Sequence, residues 1–175
     1  MKFGDCSAEL EDSMTKRDLL VVLKAFTEEA TKDLIMPVRM QKEDKEEPKP
    51  RAADVYIMRL HKSKDSEKSA PHIIHSILTG RDAQEQGDYP QASTLVRSVF
   101  AVYHDDEQEG SLMLLDLMER MRIALLKQIV LDERFMLDFY EGIDTIIYPD
   151  NIWPYYAGEM ITQWRIPAII REVNA

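Results

Sequence analysis

Apolar residues recur at helical spacing near the start of the chain. Charged side chains occupy the opposite side, as in an amphipathic helix that packs on a core. Thr15 followed by Asp18 resembles a capping arrangement, so the helix should begin there. It should end before Pro37, which cannot continue a helix. We predict a first helix at about 15–33, with Leu19, Val22, Leu23, Phe26 and Ala30 on its apolar face.

Shorter apolar segments with strand-like patterns follow. The clearest, Leu95–Tyr103, is apolar on both faces, which is typical of a central strand in a sheet that is covered on both sides. Strands and helices do not alternate, so the sheet should be mainly antiparallel, in an α+β fold with one domain at 1–175. The predicted strands are Ile35–Met40, Val55–Leu60, His72–Thr79, Leu95–Tyr103, Phe135–Tyr140, Ile143–Tyr148 and Glu159–Ile166.

Polar segments separate these elements. Residues 41–53 and 62–69 carry charges of both signs, and the first also carries prolines, so both are predicted to be long charged loops. A further polar loop is expected at Gly80–Ser93, which contains glycine and proline. Residues 1–14 are polar and are expected to be loosely held.

A second helix is predicted at about 111–128, and it has one apolar face more than a lone domain needs. Leu114, Leu117, Met118, Met121, Ala124 and Leu125 form a broad arc that should cover the sheet. A second group lies on roughly the opposite side. It packs either on the first helix or on another copy of the protein, or the whole helix is buried. The second possibility makes Leu112, Leu115, Glu119, Arg122, Ile123 and Leu126 a candidate subunit interface.

Composition narrows the function classes. The formal net charge is −10, and basic stripes with interleaved aromatic residues are absent, which argues against sequence-specific binding of nucleic acid. No apolar run approaches the length of about 18–20 residues that a membrane span needs. The single cysteine, Cys6, is expected to be a free thiol, and the acidic start of the chain does not resemble a signal peptide.

Few residues suggest chemistry. His72 and His75 are three positions apart on a predicted strand, so they should point to opposite faces and cannot chelate one metal together. One is expected to be a satisfied core histidine and the other to be exposed. The turn at 104–109 contains His104, Asp105, Asp106 and Glu109, and an acidic helix cap explains it better than a metal site. We therefore expect no catalytic residues, no bound metal and no cofactor.

The strand–turn–helix unit carries a family resemblance. Arg97–Tyr103, then Asp105-Asp106-Glu107, then Leu117–Leu125 (Leu-Met-Glu-Arg-Met-Arg-Ile-Ala-Leu) resembles the tail terminator, or tail completion, proteins of tailed bacteriophages. In that family a central strand ends in an acidic turn and leads into a helix with a similar Met-Glu-Arg motif. Tyr155–Trp164 and Pro167–Glu172 are also similar to prophage tail proteins of Gram-positive bacteria. The loops at 41–53 and 62–69 are longer than in the smaller members.

The resemblance implies a structural virion protein and not an enzyme. Such a protein forms a ring, usually a hexamer, that caps the tail tube, stops its polymerisation and joins the tail to the neck. Its partners would be copies of itself, the tail tube protein, a neck or connector protein and, in contractile tails, the sheath. DNA would only pass through the lumen, and the protein would assemble in the host cytoplasm. Tail-like bacteriocins contain the same component without DNA.

Two other functions remain open at this point. A neck or head-completion protein is also a small α+β ring subunit, and its place at the portal-proximal connector would distinguish it. A metal-dependent enzyme using His104, Asp105, Asp106 and Glu109 belongs to a different class. Metal analysis of the purified protein would distinguish that function.

Overall fold

The computed structural model describes residues 15–40, 45–60, 70–150 and 153–170. It contains two helices and a mostly antiparallel sheet, which confirms the predicted α+β fold. The elements are α1 Lys16–Thr31, β1 Asp54–Ile57, β2 His72–Ala83, β3 Gln91–Tyr103, α2 Glu107–Lys127, β4 Val130–Leu131, β5 Phe135–Leu137, β6 Ile143–Ile147 and β7 Tyr155–Ile166. None of the helices in these ranges is long and apolar enough to cross a membrane.

The cap of α1 forms as its sequence predicts. The Thr15 hydroxyl accepts a hydrogen bond from the Asp18 backbone N–H, and an Asp18 carboxylate oxygen accepts one from the Thr15 backbone N–H at 2.7 Å. These bonds, chiefly those from Thr15, lower the pKa of Asp18. Leu19 and Leu23 of the predicted apolar face are buried. Thr27 and Thr31 are buried as well. Each hydroxyl can be buried because it donates a hydrogen bond to the backbone carbonyl four residues earlier.

The sheet is organised around β3. The strand order is β1-β2-β3-β7-β5-β4, and β6 also pairs with β7. The β1–β2 pair is parallel, and the other pairs are antiparallel. β3 pairs along its length with β2 on one side and β7 on the other, so that Val99 lies between Ile74 and Glu159. The central position predicted for this strand is therefore confirmed.

Both helices pack on one face of the sheet. α1 contacts β1 and β2, while α2 contacts β3 and β7 as well as α1. The residues of β3 that face the helices, such as Val96, Phe100 and Val102, are completely buried, and the residues between them are only half-buried. Within the described ranges, the helices do not provide the expected cover on the second face of this strand. Along the described residues, the helices cover one face only.

Several predicted boundaries differ from the structure. Gly80–Ser93 is not one long loop, because β2 continues to Ala83 and β3 begins at Gln91. The polar end of this hairpin is held by cross-strand pairing, for example Arg81 with Ser93, and not by an apolar pattern. Ile35–Met40 is not a strand and forms only a single bridge, between Met36 and Arg51. α2 begins at Glu107 instead of Ser111, since Asp106 caps it.

The charged loops are described in part. Residues 45–53 lack regular structure apart from the bridge at Arg51, as expected for the end of the loop at 41–53. Residues 41–44, the predicted loop at 62–69 and the predicted loose segment 1–14 lie outside the described residues.

Gly110 allows α2 to approach the sheet closely. A Cβ atom at this position would lie 2.2 Å from a ring carbon of Tyr156 in β7. That distance is far shorter than any van der Waals contact, so the absence of a side chain here sets the position of the first turns of α2 above β7.

We predict that Gly110→Ala destabilises the fold by about 1–3 kcal/mol through steric overlap with Tyr156. In an exposed helix the same change would stabilise by about 1 kcal/mol. Urea unfolding measures the difference, with Ser111→Ala at the exposed neighbouring position as the control. The clash explanation also requires a smaller penalty when Tyr156 is changed to Leu. An increase in the free energy of unfolding on Gly110→Ala alone would contradict it.

Candidate interaction surfaces

The acidic turn between β3 and α2 is a helix cap. A carboxylate oxygen of Asp106 accepts hydrogen bonds from the backbone N–H groups of Gln108 and Glu109, both at 2.9 Å. His104 Nδ1 accepts one from the Asp106 backbone N–H at 3.0 Å. The turn therefore satisfies backbone donors that the helix itself leaves without partners. Within the described ranges, the structure brings no three His, Cys, Asp or Glu side chains close enough to hold a metal.

Aromatic residues fasten this turn to the beginning of β7. The Tyr103 hydroxyl donates to the Asp105 carboxylate at 2.6 Å, a bond that raises the pKa of Tyr103 to about 12. The Tyr103 ring lies 5.8 Å from the Tyr155 ring, and the Arg39 guanidinium stacks over Tyr155 at 5.5 Å. The indole N–H of Trp153 donates to the Asp105 carbonyl at 3.1 Å. These contacts connect β3, α2 and β7 at one end of the sheet.

The predicted interface residues of α2 lie on a stripe that points away from the sheet. We call this stripe, formed by Leu112, Leu115, Glu119, Arg122, Ile123 and Leu126, the α2 flank. Positions 112, 115, 119, 122 and 126 follow steps of three and four, which place them on one line along a helix. Leu112, Leu115 and Ile123 are 47%, 38% and 42% exposed. Packing on α1 therefore leaves Leu112, Leu115 and Ile123 exposed, while Leu126 is half-buried.

The middle of the α2 flank is polar. Glu119 and Arg122 form a two-pronged ion pair, with nitrogen–oxygen distances of 2.9 and 2.7 Å. Hydrogen bonding to Arg122 lowers the pKa of Glu119. Ile123 also borders an open groove between the helices, opposite Ala30 of α1 and Leu34 in the segment that follows α1.

The sequence did not predict a second apolar surface, which lies on the face of the sheet opposite the helices. We call it the outer sheet face. Its residues on β1, β2, β3 and β7 are half-buried, and none belongs to the hydrophobic core. The sequence signals for it were the apolar residues on both faces of the predicted strands Val55–Leu60 and Leu95–Tyr103. The strand register assigns Tyr56, Ile74, Leu95, Val99, Ala101, Tyr103, Tyr155, Ala157 and Ile161 to this face.

One hydrogen-bonded group occupies the centre of the outer sheet face. Arg97 Nε donates to a carboxylate oxygen of Glu159 at 2.5 Å, and Arg97 Nη2 donates to the Tyr148 hydroxyl at 3.0 Å. The Tyr148 hydroxyl in turn donates to the same oxygen of Glu159 at 2.6 Å. Burial, followed by the bond to Glu159, raises the pKa of Tyr148, which keeps this hydroxyl protonated. Both charges are therefore partnered within the chain.

The two strand histidines point to opposite faces, as predicted. His75 is buried and completely bonded. The Thr27 hydroxyl donates its hydrogen to the Leu23 carbonyl at 2.7 Å. The Thr27 oxygen therefore accepts a hydrogen bond from His75 Nε2 at 2.9 Å. With its proton on Nε2, His75 accepts a hydrogen bond at Nδ1 from the Ser98 hydroxyl at 2.8 Å. His72 lies on the outer sheet face and is half-buried instead of exposed, with its ring edge-on to Tyr56.

An open cleft of about 680 Å³ lies beside the β2–β3 turn. Its lining includes Arg165 and Asp138, which form an ion pair at 2.8 Å. The described residues around it carry charges of both signs and include no histidine or cysteine, and they do not bring three metal-ligating side chains together.

Comparison with models of known protein families and with curated proteins finds no match to this chain. The resemblance to tail terminator proteins, which rests on residues 97–125 and 155–172, stays a prediction.

We predict that Asp106→Ala destabilises the protein by about 1 kcal/mol, because two N–H groups at the start of α2 lose their acceptor. Asp106→Asn is the matched control, since an asparagine oxygen caps a helix about as well as a carboxylate does. Urea unfolding at neutral pH measures both variants. Equal losses in the two variants would show that the charge, and not the capping oxygen, matters.

We also predict that stability falls when the pH drops below 6.5, because of His75. Burial lowers the pKa of His75 from 6.5 to about 3. The unfolded chain therefore binds one proton more than the folded chain between these values, and stability present above pH 6.5 is lost as the pH falls. Between pH 7.5 and 5.0 the loss from this residue should be about 2 kcal/mol.

Urea unfolding across this pH range measures the effect, with His75→Gln as the comparison. The glutamine amide can retain a donor and an acceptor but does not titrate. That variant should be less stable at pH 7.5 and should lose most of the pH dependence. An unchanged pH dependence in His75→Gln would assign the effect to other groups.

Proposed function

We propose that this chain is a structural subunit that assembles with copies of itself into a ring. The observation that supports the proposal is the exposed apolar stripe on α2, with Leu112, Leu115 and Ile123 each more than a third exposed. Large apolar side chains aligned along one helix are typical of a surface that another protein covers. Their helical spacing favours a partner with an extended, ordered surface, such as another folded subunit.

The ring that we propose is a tail terminator of a bacteriophage tail or a tail-like particle. It would cap the tail tube, stop the addition of tube subunits and provide a surface for a neck or connector protein, and for the sheath in contractile tails. The proposal rests on the family resemblance of the strand–turn–helix unit at 94–128. The net charge of −10 suits a ring whose lumen DNA passes without binding.

Native mass spectrometry and tube assembly together test this function. A ring should appear as one closed oligomer, hexameric if the resemblance holds. Added to polymerising tail tube protein, it should shorten the tubes and remain at one end. A strict monomer that leaves tube length unchanged would contradict the proposal. A ring that binds a portal-proximal connector but never a tube end would instead indicate a neck protein.

We predict that Leu115→Asp weakens ring assembly strongly without unfolding the subunit. Placing a carboxylate in a buried apolar contact removes about 1.5–3 kcal/mol of burial per interface, or roughly 10–150-fold in the dissociation constant. Val21→Asp is the matched control, because Val21 is 51% exposed but lies on α1, outside the α2 flank. Analytical ultracentrifugation measures assembly, and circular dichroism checks folding. Equal weakening by both variants would exclude a specific role for the α2 flank.

A further inference from the structure

The α2 flank and the outer sheet face lie on opposite layers of the subunit. The helices cover one face of the sheet, the outer sheet face is the other, and the α2 flank is on the side of α2 away from its buried arc. We propose that the α2 flank of one subunit packs on the outer sheet face of the next copy in the ring. This inference rests on the proposed function and identifies the two surfaces that meet.

The two surfaces match in size. The α2 flank spans 14 residue steps, from Leu112 to Leu126, or about 21 Å of helix. The apolar part of β3 on the outer face spans eight steps, from Leu95 to Tyr103, or about 26 Å of strand. A helix about 10 Å wide covers roughly two strands, which are about 4.8 Å apart. One helix of the neighbour would therefore cover β3 and one adjoining strand.

The two surfaces also match in charge. On the α2 flank, Glu119 and Arg122 lie between the apolar groups Leu112–Leu115 and Ile123–Leu126. On β3, Arg97 lies between Leu95 and Val99 and is paired with Glu159.

We place the helix on this face with the two ion pairs together and in the direction that sets Glu119 opposite Arg97, and Arg122 opposite Glu159, of the other copy. Each charge is already partnered within its own chain, so the contact buries no unpaired charge. The two pairs of opposite charges across the boundary add to the attraction between the subunits and set the register of the helix on the sheet.

The pairing of two different surfaces is compatible with a ring. Each subunit presents its α2 flank to one neighbour and its outer sheet face to the other, so the contact is head-to-tail. Such a contact repeats, and it gives a closed ring when the rotation between neighbours closes and an open filament when it does not. If the α2 flank packed on the α2 flank of another copy, the contact would be two-fold and assembly would stop at a dimer. The same holds for a contact between two outer sheet faces. A helix added to the open face would also complete a three-layer arrangement with the sheet in the middle.

Cysteine cross-linking of the full-length protein tests the contact. In a Cys6→Ser background, Leu115→Cys and Val99→Cys subunits carry different tags, are co-expressed and are treated with a short bis-maleimide. Cross-links should join the two kinds of subunit, and neither variant alone should cross-link. Val21→Cys replaces Leu115→Cys as the control and should give no product with Val99→Cys.

The other cross-linking outcomes overturn the inference. Cross-links in Leu115→Cys alone or in Val99→Cys alone indicate a two-fold contact through a single surface. A closed ring in native mass spectrometry without any cross-link between the two variants leaves the proposed function standing but overturns this contact. A strict monomer overturns both the contact and the proposed ring.

A charge exchange gives an independent measurement. The helix exchange is Glu119→Arg with Arg122→Glu, and the sheet exchange is Arg97→Glu with Glu159→Arg, so each keeps its own pair within the chain. Either exchange alone places like charges across the boundary and should raise the dissociation constant at least about tenfold. The two combined should restore assembly to near the original level. If the dissociation constant of the combined variant rises by the product of the two separate factors, the proposed pairing is wrong.

Discussion

β3 forms hydrogen-bonded pairs on both of its edges, and the rest of the molecule is arranged by that pairing. β2 and β7 hold it along almost its whole length, so its register cannot shift without breaking both ladders. A slip of one residue would exchange the two faces of the strand. The observed register sends Val96 and Phe100 to the helices, and Arg97 and Val99 to the opposite side. The core and the outer sheet face are thus two consequences of one register.

α2 follows from the end of β3 with little freedom. Asp106 caps the helix three residues after Tyr103, and Gly110 lets the first turns lie directly against Tyr156 of β7. Once the arc of Leu114, Met118 and Met121 is buried on the sheet, the α2 flank has to point outward. α1 lies beside α2 over β1 and β2, and it leaves Leu112, Leu115 and Ile123 of that flank exposed.

These constraints leave a chain with two apolar surfaces among its described residues. Its histidine with the largest pKa shift, His75, is used to connect α1 to β3 within the core. Its most acidic turn is used as a helix cap. The charges on both apolar surfaces are paired inside the chain, which lowers the cost of covering those surfaces with protein. Such a molecule is suited to assembly, and the proposed head-to-tail contact uses both surfaces at once.

Local patterns in the sequence were sufficient for some of this structure. The cap at Thr15, the arc of α2 and the central place of Leu95–Tyr103 follow from residue spacing and side-chain chemistry within short segments. The end of β2 at Gly80–Ala83 does not follow from local patterns, because its residues are polar and only pairing with β3 holds them extended. The outer sheet face could not be predicted either. Apolar residues on both sides of a strand do not show whether the chain's own helices pack on one side or on both. Only the tertiary structure shows which side these two helices cover, because their packing depends on contacts between segments that are distant in the sequence.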